Sequence, residues 1–361
     1  GSRRLRLRQT ASTQTAPPPK SSRPAPDSMA ATQSDCLADP SLHKGAPALD
    51  AEGHPQVVDH GPSLVADIVG RPPLACLESS TVTDVADLLF AQNRTAVAVA
   101  SARGEIVGAI TENDILQAYE IGVPRDYPVE AWLRSDCARL PNFIVGALTV
   151  LPEASLTEAA AVMRAQASGD FACHHLLVKG DGATPHGILS ALDLTRALCR
   201  GFRRGGSQLA GRFTHKTVAD VMKPRASLPI CEHTATMSQV VQEMLLARQN
   251  CVLVAGEVGD AGILGVVTPR DILRAFVERT PGSTPVVNWL RALHIQWEPR
   301  AVRSDAQLAE AADVMAANGV HHVVVAAPPP VPSSGMESAQ VVGLVSSTDI
   351  AYSIGAAAAM Q

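Results

Sequence analysis

A seven-residue pattern recurs four times in this chain: a glycine, two apolar residues, a hydroxyl residue, and an aspartate three positions beyond it. It runs from Gly108 through Thr111 to Asp114, and from Gly187 through Ser190 to Asp193. It returns from Gly265 through Thr268 to Asp271 and from Gly343 through Ser346 to Asp349. The four glycines stand 79, 78 and 78 residues apart by their numbers, and an apolar residue follows each aspartate. A near-constant period means that one supersecondary unit is copied along the chain, because each copy buries its apolar face only against its neighbours.

The content of the unit is legible from periodicity. Ahead of each pattern lies a helix start: Thr81 to Asp84, Ser155 to Glu158, Thr236 to Gln239, and Ser304 to Gln307. In each, a hydroxyl precedes an acid or amide by three residues, the arrangement of a capping box. The stripes that follow have the spacing of half-buried helices. They are Val82/Val85/Ala86/Leu89, Leu156/Ala159/Ala160/Met163, Met237/Val240/Val241/Met244 and Leu308/Ala311/Ala312/Met315. Short apolar runs follow at Val97–Ala100, Leu176–Val178, Val252–Val254 and Val323–Val325. Each unit therefore reads strand, helix, strand, strand, helix. A turn is expected at Arg103 and Gly104, and the length variation falls in hairpins at Gly180–Pro185, Gly256–Gly262 and Pro328–Ser338. A longer period overlies the short one: Val65-Ala66-Asp67 returns at Val218, and Trp132-Leu133 at Trp289. A pair of units was what duplicated. The expected division is 61–125, 129–202, 214–281 and 285–356 for the four repeats, with a Gly/Arg-rich joint at 203–213 and a tail at 357–361.

Residues 1–60 lack this periodicity and read as disordered. The first 26 residues carry Arg3, Arg4, Arg6, Arg8, Lys20 and Arg23 without an acid until Asp27. That composition suits either an organelle transit peptide or an added tag ahead of Met29. The first origin places the protein in a mitochondrion or plastid, the second in the cytoplasm. A net charge of -5 and 3% aromatics exclude a basic, stacking nucleic-acid face. The 7 cysteines include no Cys-x-x-Cys pair, as in free thiols of a reducing compartment. No apolar run approaches the roughly 18 residues of a membrane span, so a soluble intracellular protein is expected.

Four units of this strand order, each ending in the glycine-to-aspartate pattern before a helix, resemble CBS domains over residues 61 to about 356. The resemblance implies an α/β (α+β) fold of four β-α-β-β-α repeats, paired sheet to sheet into two Bateman modules that can form a flat disc. The layout is similar to the gamma subunit of the AMP-activated protein kinase. It also implies a non-enzymatic regulatory role, with an adenosine-containing ligand bound in clefts between paired repeats. AMP, ADP, ATP and S-adenosylmethionine are the candidate ligands, and an unidentified protein target, a kinase among the options, would read the bound state. Monomer and homodimer are both compatible with the apolar faces.

The motif residues have two chemical readings. Thr or Ser and the Asp three residues on can cap a helix, or the carboxylate can take two ribose hydroxyls. By resemblance, ribose binding goes to Asp114, Asp193, Asp271 and Asp349, with Thr111, Ser190, Thr268 and Ser346 as accompanying hydroxyls. Phosphate needs cations. Where the kinase subunit has His-Arg pairs, this chain has His174-His175 and His321-His322. A neutral His is a weaker phosphate partner than the guanidinium fork, although a nearby phosphate would raise its pKa. The lost arginines favour adenosine, AMP or S-adenosylmethionine over ATP. Arg94 and Arg270 are the further phosphate candidates. The alternatives for the histidine pairs are backbone-bonded strand edges or a metal site with Cys173. Gly256, Gly259, Gly262 and Gly265 read as turn glycines rather than a dinucleotide fingerprint. Trp132 and Trp289 read as core anchors. No catalytic residues and no resident metal are expected. The competing reading is a ligand-free interaction module in which the four aspartates only cap helices.

Overall fold

The computed structural model describes residues 63–69, 73–134, 149–167, 173–180, 187–204, 213, 215–256, 262–292, 300–328 and 340–358. The N-terminal segment 1–60, most of the joint and the hairpin inserts expected above lie outside the described residues.

In chain order the elements are β1 (Ala75–Leu77), α1 (Val82–Ala91), β2 (Ala96–Ala100), β3 (Ile106–Thr111), α2 (Glu112–Glu120) and a short α3 (Val129–Arg134). Then come β4 (Thr149–Val150), α4 (Leu156–Gln166), β5 (His175–Val178), β6 (Gly187–Ser190) and α5 (Ala191–Arg204). The second half opens with β7 (Lys223–Pro224), β8 (Ile230–Glu232), α6 (Met237–Ala247), β9 (Val252–Ala255), β10 (Ile263–Val267), α7 (Pro269–Val277) and α8 (Val286–Ala292). It closes with β11 (Ala301–Arg303), α9 (Leu308–Asn318), β12 (His322–Ala326), β13 (Val341–Ser346) and α10 (Ser347–Ala358). In each repeat the first strand runs parallel to the second, which is antiparallel to the third. The expected turn at Gly104 is present, and glycine suits it because φ there is 80°.

The capping boxes start the helices where periodicity placed them. Thr81 Oγ1 accepts from the Asp84 N–H at 3.1 Å, while Asp84 Oδ2 accepts from the Thr81 N–H at 2.9 Å. Ser155 with Glu158 and Thr236 with Gln239 repeat the arrangement. The fourth differs from expectation: α9 has Gln307, not Ser304, at its N-cap and no side-chain cap bond. Ser304 is still held by the sheet, its N–H donating to Ala326 O at 3.0 Å. All four apolar stripes are buried at 2% exposure or less. The joint begins later than its composition suggests, because α5 continues through Gly201 to Arg204.

The residues leading into each repeat dock on the repeat it is paired with. Val65 donates to Ala154 O ahead of α4, and Val218 to Ala306 O ahead of α9, both at 2.9 Å. Reciprocally, Val129 and Trp132 of α3 join the core of repeat 1, and Val286 and Trp289 of α8 join that of repeat 3. This exchange ties 1 to 2 and 3 to 4. β7 adds a further thread by pairing antiparallel with β13, so the sheet of repeat 4 has the order β11-β12-β13-β7. Leu228, Cys251 and Leu253 of repeat 3 pack with Leu344 of repeat 4.

Helices make the other contacts. Leu273 and Phe276 of α7 enter the core of repeat 1, and Leu116 of α2 enters that of repeat 3. Repeats 2 and 4 share one core through α4, α5, α9 and α10. There α10 approaches α4 so closely that a Cβ on Gly355 would stand 2.5 Å from Ala160 O. Gly355→Ala would gain up to about 1 kcal/mol of helix propensity. Against this stands overpacking of about 1–3 kcal/mol, and the clash here is with backbone, which cannot rotate away. Net destabilisation is expected, read as a lower urea midpoint at unchanged slope.

Candidate functional site

Each motif sits where a sheet strand hands over to a helix, and all four adopt one geometry. The Asp114 Oδ2 accepts from the Thr111 N–H and hydroxyl, both at 2.7 Å. Asp193 Oδ2 accepts from Ser190 at 3.0 and 2.6 Å, and Asp271 Oδ2 from Thr268 at 2.8 and 2.7 Å. Asp349 Oδ2 accepts from Ser346 at 2.9 and 2.6 Å. Capping therefore occupies one carboxylate oxygen at every motif. The other oxygen distinguishes them. Asp193 Oδ1 lies 3.4 Å from Arg196 Nη1, and Asp349 Oδ1 lies 3.6 Å from Lys223 Nζ. Lys223 is delivered by β7 and also donates to Gln249 Oε1 at 2.8 Å.

A cavity of about 510 Å³ opens where the four repeats meet, within the range of small-molecule sites. Every repeat lines it from the same two places, the entry to its middle strand and the start of its motif helix. The first place contributes Arg94, His174, His175, Asn250, His321 and His322. The second contributes Thr111, Glu112, Ser190, Asp193, Thr268, Arg270, Asp271, Ser347 and Thr348. Of the residues expected from sequence, Asp114, Ser346 and Asp349 are not in this wall.

His174 and His175 tie repeats together through their side chains, while the His174 and His321 carbonyls also accept from the Ala191 and Ser347 N–H groups, both at 2.9 Å. The His174 ring spans two repeats, 2.5 Å from Thr348 Oγ1 through Nδ1 and in contact with the Asn250 amide through Nε2. His175 Nε2 lies 2.7 Å from Thr95 Oγ1, and His321 Nδ1 lies 3.2 Å from Ser347 Oγ. His322 Nδ1 has no partner among the described residues. Burial holds all four neutral: His175 and His322 fall to about 3 and His321 to about 4, while His174 goes well below its usual value. Neighbouring histidines and cations push in the same direction. Cys173 donates its thiol to His175 O at 3.3 Å, and no group of metal-ligating residues occurs among the described residues.

Besides the histidines, the ionisable side chains of the wall are Arg94, Arg196, Arg270 and Arg300 against the acids Asp193, Asp271 and Glu112. Arg196 and Arg300 were not anticipated. Arg196 lies three residues after Asp193 on the same helix face, a spacing that could have been read. Arg300 precedes β11 and reaches the wall only through the fold. Glu112 was missed because it occupies a variable position of the motif. It is buried, its Oε1 lies 2.6 Å from Arg270 Nε, and burial raises its pKa to about 7. Arg270 partly opposes that rise and Asp271 adds to it. Burial likewise raises the Asp271 carboxyl above its usual value, against the hydrogen bonds from Thr268.

Four successive copies of one fold meet at a shared polar cavity and define a repeat assembly. The chain belongs to the CBS domain family, whose model matches residues 65–121, 143–200, 218–278 and 294–356. Its four domains form two Bateman modules. Among solved structures, a Methanocaldococcus jannaschii protein described as a candidate archaeal homolog of g-AMPK is similar at 14% identity and a TM-score of 0.60, covering 80% of this chain and 98% of that one. A Pyrococcus horikoshii conserved protein matches at 17% identity and a TM-score of 0.47, over 81% and 99% of the two chains. A Pyrobaculum aerophilum CBS domain protein, solved with AMP, matches at 22% identity and a TM-score of 0.30, over 36% and 88%. These likenesses are of fold. No curated protein matched. Among the described residues, no helix is long and apolar enough to cross a membrane.

Proposed function

We propose that the protein is a non-enzymatic regulatory module that binds an adenosine-containing ligand in the central cavity and passes the bound state to a protein partner. The observation that carries this reading is that two motif carboxylates, Asp193 and Asp271, meet in one cavity with four arginines. Each of these carboxylates spends Oδ2 on its cap, so the second oxygen is the one suited to a ribose hydroxyl. The arginine forks suit phosphate. The buried neutral histidines add donors without adding charge, which favours AMP, or the sulfonium and ribose of S-adenosylmethionine, over ATP. Membership of the CBS domain family is in keeping with this reading. A kinase is one candidate partner.

Isothermal titration of the full chain with AMP, ADP, ATP and S-adenosylmethionine tests it. Asp193→Asn and Asp271→Asn keep a capping oxygen, so the helices persist while charge is removed. Each is expected to weaken binding tenfold or more, with Asp114→Asn and Asp349→Asn within about twofold of the parent. No heat from any ligand, in protein shown to be folded, would favour the ligand-free interaction module.

A further inference from the structure

Glu112 is the feature of the cavity that a phosphate site does not require. It follows Thr111 at the N-terminus of α2, and Arg270 stands at the facing N-terminus of α7. The two helices pack together, so an acid from repeat 1 and a base from repeat 3 meet inside the wall, 2.6 Å apart at their closest atoms. The contact is close but poorly aimed: Glu112 Oε1 accepts no directed hydrogen bond among the described residues. Arg270 spends a further N–H on Leu89 O at 3.5 Å. A buried carboxylate held mainly by Coulomb attraction, beside a second acid at Asp271, is one that another anion can replace.

We infer that Glu112 is a built-in competitor for Arg270, which an incoming phosphate displaces, so that the cavity selects ligands by their charge and takes up a proton as it binds an anion. The inference rests on the adenosyl reading of the cavity, and deepens it. Displaced from its cation but still buried beside Asp271, the Glu112 carboxylate gains a proton from solvent and becomes a neutral acid. No covalent bond changes. A ligand without phosphate leaves the pair intact and takes up no proton. The groups facing Glu112 are Arg270 and Asp271 of α7; His321 faces Arg270 from the turn before β12. That histidine titrates near pH 4, so it is silent between pH 6.5 and 8, whereas Glu112, near 7, is poised there.

The test is titration of the full chain with adenosine, AMP and pyrophosphate between pH 6.5 and 8, in two buffers of different ionisation enthalpy. For the parent protein, AMP and pyrophosphate are expected to bind about tenfold more weakly at pH 8 than at pH 6.5, with proton uptake rising from about a quarter of a proton at pH 6.5 to close to one at pH 8. Adenosine is expected to show neither effect. Glu112→Gln should abolish the proton uptake and bring the affinity for both anions at pH 8 to the parent's value at pH 6.5, leaving adenosine unchanged. If adenosine and AMP bind neither protein, the adenosyl reading fails, and pyrophosphate alone then decides the role of Glu112. Anion binding without pH dependence in the parent protein would overturn the inference, as would unchanged anion affinity in folded Glu112→Gln, or no pyrophosphate binding to either. The parent's proton uptake is read without any variant, so misfolding of Glu112→Gln would not rescue the idea.

Discussion

Acidification from pH 7 to about pH 4.5 is expected to unfold the protein cooperatively, well before the carboxylates of a typical domain are protonated. The cause is the ring of buried histidines. His175 and His322 titrate near 3 and His321 near 4 in the folded chain, against an ordinary value of 6.5. Their folded pKa values are depressed, so the unfolded chain binds more protons in the interval. Their contribution to stability is therefore complete above pH 6.5 and is lost as pH falls toward 4. Near pH 5 the three rings account for about three protons taken up on unfolding, or about 4 kcal/mol per pH unit at 1.36 kcal/mol for each proton. His174 adds in the same direction. Glu112 opposes them, because a carboxyl raised from 4.5 to about 7 costs stability above pH 7 and relieves it below, by about 1.4 kcal/mol per pH unit at most. The Asp271 carboxyl, also raised by burial, opposes them in the same way, but the histidines outnumber the two acids, and the net slope compares with a whole-domain stability of about 5–15 kcal/mol. Urea midpoints measured at half-unit steps of pH check this. His322→Gln, whose ring has an unpartnered Nδ1, should lower the slope by about one proton. A midpoint constant from pH 7 to pH 5 would mean that the rings titrate freely in the folded state.

Removal of the Trp289 side chain should be the most damaging single truncation outside the cavity. Trp289 is 4% exposed and lies in the core of repeat 3 beside Val240, Met244 and Ile272, although it arrives on α8, the helix that leads toward repeat 4. Trp289→Ala both opens a large void and unfastens the exchange between the paired repeats. About 3–5 kcal/mol is the usual cost of the void, the upper part of which would threaten the second module. Trp289→Phe separates volume from polarity. The indole Nε1 finds no acceptor among the described residues, and a buried donor without a partner costs about 1–3 kcal/mol. Phenylalanine removes that donor and keeps most of the ring, so its net effect should stay within about 1.5 kcal/mol. Equal loss in both variants would show that the indole N–H carries the anchor. Chemical denaturation read by α-helical circular dichroism decides between them.

The four glycine-to-aspartate patterns, the capping boxes at Thr81, Ser155 and Thr236, and all four apolar stripes were legible in the amino-acid order. Each is a local relation, in which residues three or four apart meet on one helix face or across one turn, and the chain encodes them directly. The helix start at Ser304 was misplaced because that residue lies in the turn directly after β11, its N–H bonded to Ala326 O, and Gln307 takes the cap position although it makes no side-chain cap bond. The same distinction runs through the site. The hydroxyl and carboxylate of each motif are three residues apart and could be paired on paper. Glu112 and Arg270 are separated by a whole repeat, and Lys223 reaches Asp349 only because β7 pairs with β13.

The period of the chain thus set the unit, its strand order and its copy number, since a repeated local pattern can bury its apolar face in few ways. Which motifs share a cavity was settled by packing between units. The helices join repeat 1 to 3 and repeat 2 to 4, the exchanged segments join 1 to 2 and 3 to 4, and together they bring Asp193 and Asp271 to the centre while leaving Asp114 and Asp349 out of its wall. Four chemically equivalent aspartates become unequal because burial and neighbouring charge belong to the assembled surface, not to any stretch of seven residues.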